Sequence, residues 1–495
     1  MSTFEHVIAG LRAAFASGKT MDLAFRRKQL VALQRMYKEC ETEMITAVAK
    51  DLRKSKHEAL LAEIMPTRNE VDEMISNLNE WAAPEKPSKT LVNMLDKMMI
   101  VNDPYGVVLV LGAWNYPLQL TLVPVQAAIA AGNCVVIKPS EHASHVAKFL
   151  ADTIPKYLDN DCYQVICGGI PETTDLLKNK FDYIFYTGST RVGQIIHAAA
   201  NKHLTPVTLE LGGKSPCFIN SDADIAITAR RVLWGKFMNC GQTCIAPDYI
   251  LCNKETQEKF VKEAKKVISE WYGDDAKASP DLCRIINQTN FNRLQGLLKT
   301  GKGQIAIGGK TVADDLFIEP TIIENVQKSD AIMQEEIFGP ILPIVNVRDA
   351  AEAISYIKEG EKPLALYVFT KDAKIQDLFI TKVSAGGVCV NDTILHAAAP
   401  NLPFGGVGNS GIGAYHGKYS FDTFVHKKSV LIKDFNKIGE ALASGRYPPY
   451  TESKTKRLLG LMRRREFGFS CKYLPHTVMF LLGVALTLFV KHFID

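Results

Sequence analysis

The chain has 495 residues, 47% apolar and 22% charged, with a formal net charge of +5. That length exceeds one simple core and implies two or three domains of ordinary folded composition. The charge excess is local: between Thr451 and Lys472 seven basic residues stand against two acidic ones, the whole of the +5, so the body is neutral, which argues against a nucleic-acid-binding domain and for a surface interaction at the basic tail. The eleven cysteines run from Cys40 to Cys471 without framework spacing, as expected in a reducing compartment. The first residues have neither the basic start nor the apolar run of a secretory signal.

Residues 4–80 have apolar side chains at helical spacing (Val7, Leu11, Phe15; Leu30, Leu33, Tyr37), and Pro84, Pro87 and Ser88 close that region. Residues 98–111 are β-branched and apolar, with Asp103–Gly106 as a turn between two strands. Strand and helix then alternate. Strands are expected at Cys134–Ile137, Gln164–Cys167 and Phe181–Tyr186. Helices are expected from Ala143 to Ile154, stopping before Pro155, then at Pro171–Lys178 and Arg191–Lys202. This alternation predicts an α/β fold with a parallel, doubly wound sheet. A second alternating region begins at Val207–Leu211 and runs to Gly417. Arg446–Tyr450 contains two prolines and breaks regular structure. Leu474–Val490 is seventeen residues without a formal charge. As a helix it would span about 25 Å, and Lys472 and Lys491 could reach the two interfaces of a bilayer. It is read as a membrane anchor, with the basic side cytosolic.

Several loops carry reactive or ligand-binding residue types. Lys236–Pro247 holds Cys240 and Cys244 around a Gly-Gln pair, and Cys244 reads as a nucleophile, although a cysteine is also a small buried apolar residue. A zinc site would need two further ligands in a paired motif, and none is present; no metal is expected. Thr187–Gly193 turns from strand to helix with small residues that would let a backbone approach a phosphate, or simply cap the helix. Lys138 and Glu141 end another strand, where ligands of such sheets bind, and could meet phosphate or ribose oxygens. Glu210 ends an apolar strand and would be a desolvated base, or a strand-end charge facing water. Asn115 follows the strand Val107–Leu111 and could donate to an oxyanion, or serve an ordinary turn. Gln334–Pro340 and Leu402–Gly408 are loops dense in glycine, proline and aromatic residues, more readily structural than functional.

In chain order, AWNYP, IKPSE, YTGSTRVG, LELGGKSP, FMNCGQTCIAPDY, QEEIFGP and LPFGGVGNSG span about 300 residues. As an ordered set they resemble the aldehyde dehydrogenase superfamily, and the GQTC form and RYPPY segment resemble its class 3 branch. The C-terminal apolar stretch is similar to that of the membrane-anchored fatty aldehyde dehydrogenases. The resemblance implies a Rossmann-like NAD-binding domain over 1–207, with 83–104 contributing to a bridging region, and an α/β catalytic domain over 208–417. It further implies a small β bridging, oligomerisation segment over 418–450, a basic linker over 451–472 and a transmembrane helix over 473–491.

It assigns the nucleophile to Cys244 rather than Cys240, the general base to Glu210 and the oxyanion amide to Asn115. Cofactor contacts are implied from Lys138, Glu141, Gly188, Ser189, Thr190, Arg191, Val192 and Gly193, with Glu336 and Phe338 near the nicotinamide ribose. The expected activity is oxidation of medium- to long-chain aliphatic aldehydes to acids with NAD, or with NADP. The expected form is a homodimer anchored by its C-terminus, catalytic body in the cytosol, in the endoplasmic reticulum rather than the peroxisome. The competing readings are a CoA-acylating relative and a catalytically silent binding protein on the same fold.

Overall fold

A computed structural model describes residues 3–90, 93–462, 479–480 and 483–484. By compactness the chain divides into a larger unit, Met1–Ala83 with Asn102–Lys428, and a smaller one, Pro84–Val101 with Ser429–Asp495.

The larger unit contains two predominantly parallel sheets. The first runs, edge to edge, Gly411–Ile412, Val207–Leu211, Tyr183–Gly188, Val107–Leu111, Cys134–Lys138, Tyr163–Val165. The inner strand Val107–Leu111 is buried along its whole length, because helices cover both faces of a parallel sheet and both sets of side chains must be apolar. Helix Gln119–Ala131, which follows it, is buried along nearly its whole length and has no polar face. In register, Leu111 lies beside Lys138 and Tyr186, Thr187 beside Glu210, and Gly188 beside Leu211. The carboxyl ends therefore finish together, and the loops that begin at Gly112, Pro139, Ser189 and Gly212 leave the same edge. Chain order reverses between Val107–Leu111 and Tyr183–Gly188, the switch point at which such sheets bind ligands.

The second sheet runs Gly387–Val390, Ala365–Phe369, Pro216–Ile219, Tyr249–Cys252, Ile341–Asn346, Thr321–Glu324, Gln304–Ile307. Helix Ile225–Phe237, N-capped by the Asp224 carboxylate on Ile227 N, delivers the chain to the cysteine loop. In the smaller unit, Glu85 and Ile100 exchange backbone hydrogen bonds and Lys433 pairs with Asp96 at 2.8 Å. That unit also holds helices Lys437–Ala443 and Glu452–Met462.

Two local expectations change. Strands Lys97–Pro104 and Val107–Leu111 do form, but not as neighbours in one sheet; Lys97–Pro104 pairs with Val425–Ile432. Asp103–Gly106 is thus a crossing between sheets. Helix Ser144–Tyr157 continues through Pro155 and closes with Leu158 N on Ile154 O at 2.9 Å. A proline in the last turn forfeits only one intrahelical hydrogen bond, which the buried face of that helix outweighs. The anchor expected over 473–491 lies outside the described residues apart from four positions. Among the described residues no helix is long and apolar enough to cross a membrane.

Candidate active site

The cysteine loop leaves helix Ile225–Phe237 through three successive left-handed residues: Asn239 at φ 53°, Cys240 at φ 55° and Gly241 at φ 74°. Asparagine and glycine tolerate that region, whereas Cys240 is strained there by about 1–2 kcal/mol. The buried Gln242 side chain holds the turn. It donates to Asn239 O at 3.1 Å and Arg284 O at 3.0 Å, and accepts from Ile286 N at 3.0 Å. The Gly-Gln pair is therefore the clamp that aims the next residues. A Cβ on Gly241 would lie 2.2 Å from Gly339 O, so the loop Gln334–Pro340 backs directly onto it. Gly241→Ala combines that overlap with positive φ, and should lower stability by about 2 kcal/mol or more and displace Cys244. Thermal melting and turnover read both effects; an unchanged melt would refute the clamp.

Cys244 is half-buried, and Glu210 is buried opposite it. The thiol and the carboxyl face each other, yet neither oxygen of Glu210 has a hydrogen-bond partner of normal geometry among the described residues. Burial pushes the Glu210 carboxyl up to about 7, against smaller opposing effects of Cys244 and Thr187. Burial, then Glu210 and Glu336, push the Cys244 thiol well above its ordinary range. Burial thus favours the neutral thiol at Cys244, and Glu210 is a carboxyl able to take or give a proton near neutrality. The backbone N–H of Cys244 lies against its own sulfur. Cys240, by contrast, is enclosed in the apolar core, and its thiol is pushed up to about 12 by burial.

Asn115 is buried on the loop after Val107–Leu111, and its Nδ2 donates to Gln242 O at 3.1 Å. The amide is thereby tied to the cysteine loop. Ala113, Tyr116 and Leu120, with Ala62 and Met238 packed on them, form a small buried apolar cluster. The Leu402–Gly408 loop precedes a short strand of the first sheet. It delivers Gly411–Ile412 antiparallel to Val207–Leu211, with Gly411 opposite Glu210.

The nucleotide-type residues gather at the carboxyl edge of the first sheet. Lys138 pairs with Glu141 at 2.9 Å; burial would raise the Glu141 carboxyl, but the lysine, the residue's own backbone N–H and His142 together outweigh it and hold the pKa low. Ser189 N-caps helix Thr190–Asn201 by accepting from Val192 N, and Gly193 N returns to Ser189 O at 2.9 Å. Thr190 donates to Asn409 O at 3.1 Å, while Arg191 and Val192 are exposed. Beside Gly212, burial and Asp248 raise half-buried Glu336 to about 8, and a Cβ on Gly212 would meet its Oε2 at 2.0 Å. Phe338, at φ 51°, packs edge-on against Trp114 at 5.3 Å. Among the described residues no group of His, Cys, Asp and Glu could hold a metal ion.

A family model described as the aldehyde dehydrogenase family matches residues 2–430. The chain belongs to the aldehyde dehydrogenase family. Aldehyde dehydrogenase family 3 member A2 of Mus musculus is 52% identical over 450 residues, 91% of this chain and 92% of its own length. The dimeric NADP-preferring aldehyde dehydrogenase of Rattus norvegicus is 50% identical over 449 residues, 91% and 98% of the two chains. Among solved structures, the substrate-bound state of Staphylococcus aureus AldH matches with a TM-score of 0.91 at 41% identity, covering 94% of this chain and all of that one. The likeness to class 3 relatives places this aldehyde dehydrogenase among oxidoreductases that use a nicotinamide dinucleotide. The carboxyl edge of the first sheet carries residue types that such a group would need: the N-terminus of helix Thr190–Asn201 and the polar ends of Lys138 and Glu141.

Sequence reasoning missed the buried groups behind this aldehyde dehydrogenase site. Tyr116 OH shares a 2.7 Å hydrogen bond with Thr243, and Tyr367 OH donates to Ile245 O, flanking Cys244 on either side. Lys54, Glu58 and Glu63 reach the same loops from the N-terminal helices. No spacing signals them, since each partner lies far along the chain.

Proposed function

We propose that this aldehyde dehydrogenase oxidises medium- to long-chain aliphatic aldehydes to carboxylic acids with NAD. Cys244 is the nucleophile, Glu210 the base that activates water, and Asn115 the oxyanion donor. The observation that carries the reading is that buried Glu210, on strand Val207–Leu211, faces the Cys244 thiol, while the Asn115 amide is tied to the same cysteine loop through Gln242 O.

The Cys244 sulfur loses its proton to Glu210 or to water and attacks the aldehyde carbon, since thiolate is the reactive form. The developing oxyanion accepts from the Asn115 amide and from the backbone N–H of Cys244. When bound, the dinucleotide supplies a cationic ring that accepts the hydride. The residue left on Cys244 is a thioester. Glu210 then removes a proton from water as that water attacks, and the acid departs. Lys138 and Glu141 would hold the ribose, Ser189–Gly193 the diphosphate, and Glu336 and Phe338 the nicotinamide end.

Tethering suits such substrates, because long-chain aldehydes partition into bilayers. We place residues 473–491 in a membrane, with the catalytic body cytosolic and the endoplasmic reticulum as the site. We read the protein as a homodimer, in keeping with the word "dimeric" in the name of the rat relative. The relative's name also says NADP-preferring, so both cofactors belong in the assay. A rate profile over aldehydes of increasing length, with NAD and NADP in parallel, tests the substrate class. kcat/KM should climb by about tenfold or more from short to long chains, as each buried methylene adds about 0.8 kcal/mol. Deleting 473–495 should release the protein from membranes with activity kept. A flat profile, or a truncated form that still pellets with membranes, refutes the corresponding part. If added CoA makes acyl-CoA the main product, the CoA-acylating reading replaces hydrolysis.

A further inference from the structure

The corner between helix Glu41–Leu52 and the next helix places Lys54 inward: Arg53 is left-handed at φ 53°, and Ser55 caps the following turn through Glu58 N at 3.2 Å. Nine residues on, Glu63 lies in a π-turn, Leu60–Ile64, just ahead of Pro66. A proline that cannot donate to the preceding turn favours such widening, and π-turns recur at functional sites. Corner and π-turn together bring the two charges into contact. Lys54 Nζ meets Glu63 Oε1 at 2.7 Å, with both side chains 0% exposed.

Each charge spends its remaining capacity on one short segment. Lys54 Nζ donates to Asn115 O at 2.8 Å, and Glu63 Oε2 accepts from Leu118 N at 2.9 Å. A single ion pair thus grips both ends of the Asn115–Leu118 turn. Between them the Tyr116 ring lies under the ammonium, 4.0 Å from Nζ to the centroid, and its hydroxyl reaches Thr243 Oγ1 at 2.7 Å. Asn115 O takes a second hydrogen bond from Asn239 Nδ2 at 2.8 Å. The turn that carries the Asn115 amide is therefore locked to the loop that carries Cys244.

A fully buried ion pair contributes little net stability, and apolar replacements of both partners are often neutral or stabilising. Its retention next to Asn115 calls for another reason. We infer that Lys54 and Glu63 are positioning residues which hold the Asn115 amide in register with Cys244, so that the oxyanion donor is preorganised before the aldehyde arrives. The inference rests on reading Asn115 as that donor. A donor displaced by a fraction of an ångström loses much of its effect on the developing charge, while ground-state binding of an aliphatic chain is unaffected.

The test is a mutant cycle read by the single-turnover rate of NADH formation from octanal, on the full chain. Lys54→Met with Glu63→Leu removes both charges at similar volume. Its rate should fall about 10- to 100-fold with the aldehyde KM kept within about twofold. Placed on Asn115→Ala, the same pair should lower the rate by no more than about twofold, because the group it positions is gone. Should the pair variant fail to fold, Tyr116→Phe deletes only the phenol tie to Thr243 and is expected to show the same pattern at about three- to tenfold. A wild-type rate in the altered protein overturns the inference, as does an equal fall with and without the Asn115 amide. If Asn115→Ala alone turns over normally, the donor reading fails first and the positioning role falls with it, an outcome visible in a different variant.

Discussion

Cys244→Ala is expected to abolish NADH formation from aliphatic aldehydes, by about four orders of magnitude or more, as loss of a covalent nucleophile does elsewhere. Alanine at 244 removes the attacking atom but leaves the Gln242 clamp and the Asn115–Gln242 hydrogen bond in place. Binding of cofactor, followed by fluorescence, should therefore persist while chemistry stops. Cys240→Ala is the internal comparison: that thiol is core-enclosed, so its loss should reduce stability modestly and leave a functioning site. Unchanged turnover in Cys244→Ala would remove the nucleophile assignment.

Glu210→Gln should separate the two halves of the reaction. The glutamine keeps the volume but accepts no proton from water, so hydrolysis of the thioester should slow by about 10²- to 10⁴-fold. One equivalent of NADH per site should then appear as a burst, followed by near-arrest, with the acyl group detectable on Cys244 by intact mass. In the unaltered protein, Glu210 is pushed up to about 7 by burial, so hydrolysis should rise with pH through about 7 and level off above it. The linkage to folding has the opposite sign. A carboxyl whose folded pKa is raised favours the fold below its ordinary value near 4.5, and that contribution is lost as pH rises through the folded pKa. Melting of Glu210→Gln should accordingly be less sensitive to pH between about 4.5 and 7. Linear product formation without a burst would show that Glu210 does not serve the second step.

The strands of the first sheet were legible because parallel strands are apolar on both faces, and Val107–Leu111 or Cys134–Lys138 admits no other reading. The amphipathic helices of the N-terminal region were legible for the complementary reason. Pro155 and Asp103–Gly106 were not: the first depends on which helix turn a proline occupies, the second on a partner strand more than 300 residues away. At the site, chemical type singled out Cys244, Glu210 and Asn115, each with a structural alternative, and it was the ordered motifs of the family resemblance that chose among them. Gln242 gave no chemical signal, because its part is to satisfy backbone groups of Asn239, Arg284 and Ile286.

By itself the order of residues determined the α/β class and the family resemblance, since these follow from periodicity and from motifs contiguous along the chain. Only the tertiary structure decided which carboxyl faces the thiol, how far burial shifts both groups, and which buried charges grip the Asn115 turn. Those properties depend on distance and desolvation between segments far apart in the chain. Lys54 and Asn115 meet at 2.8 Å across sixty intervening residues, and only the packing of the N-terminal helices against the first sheet brings them there.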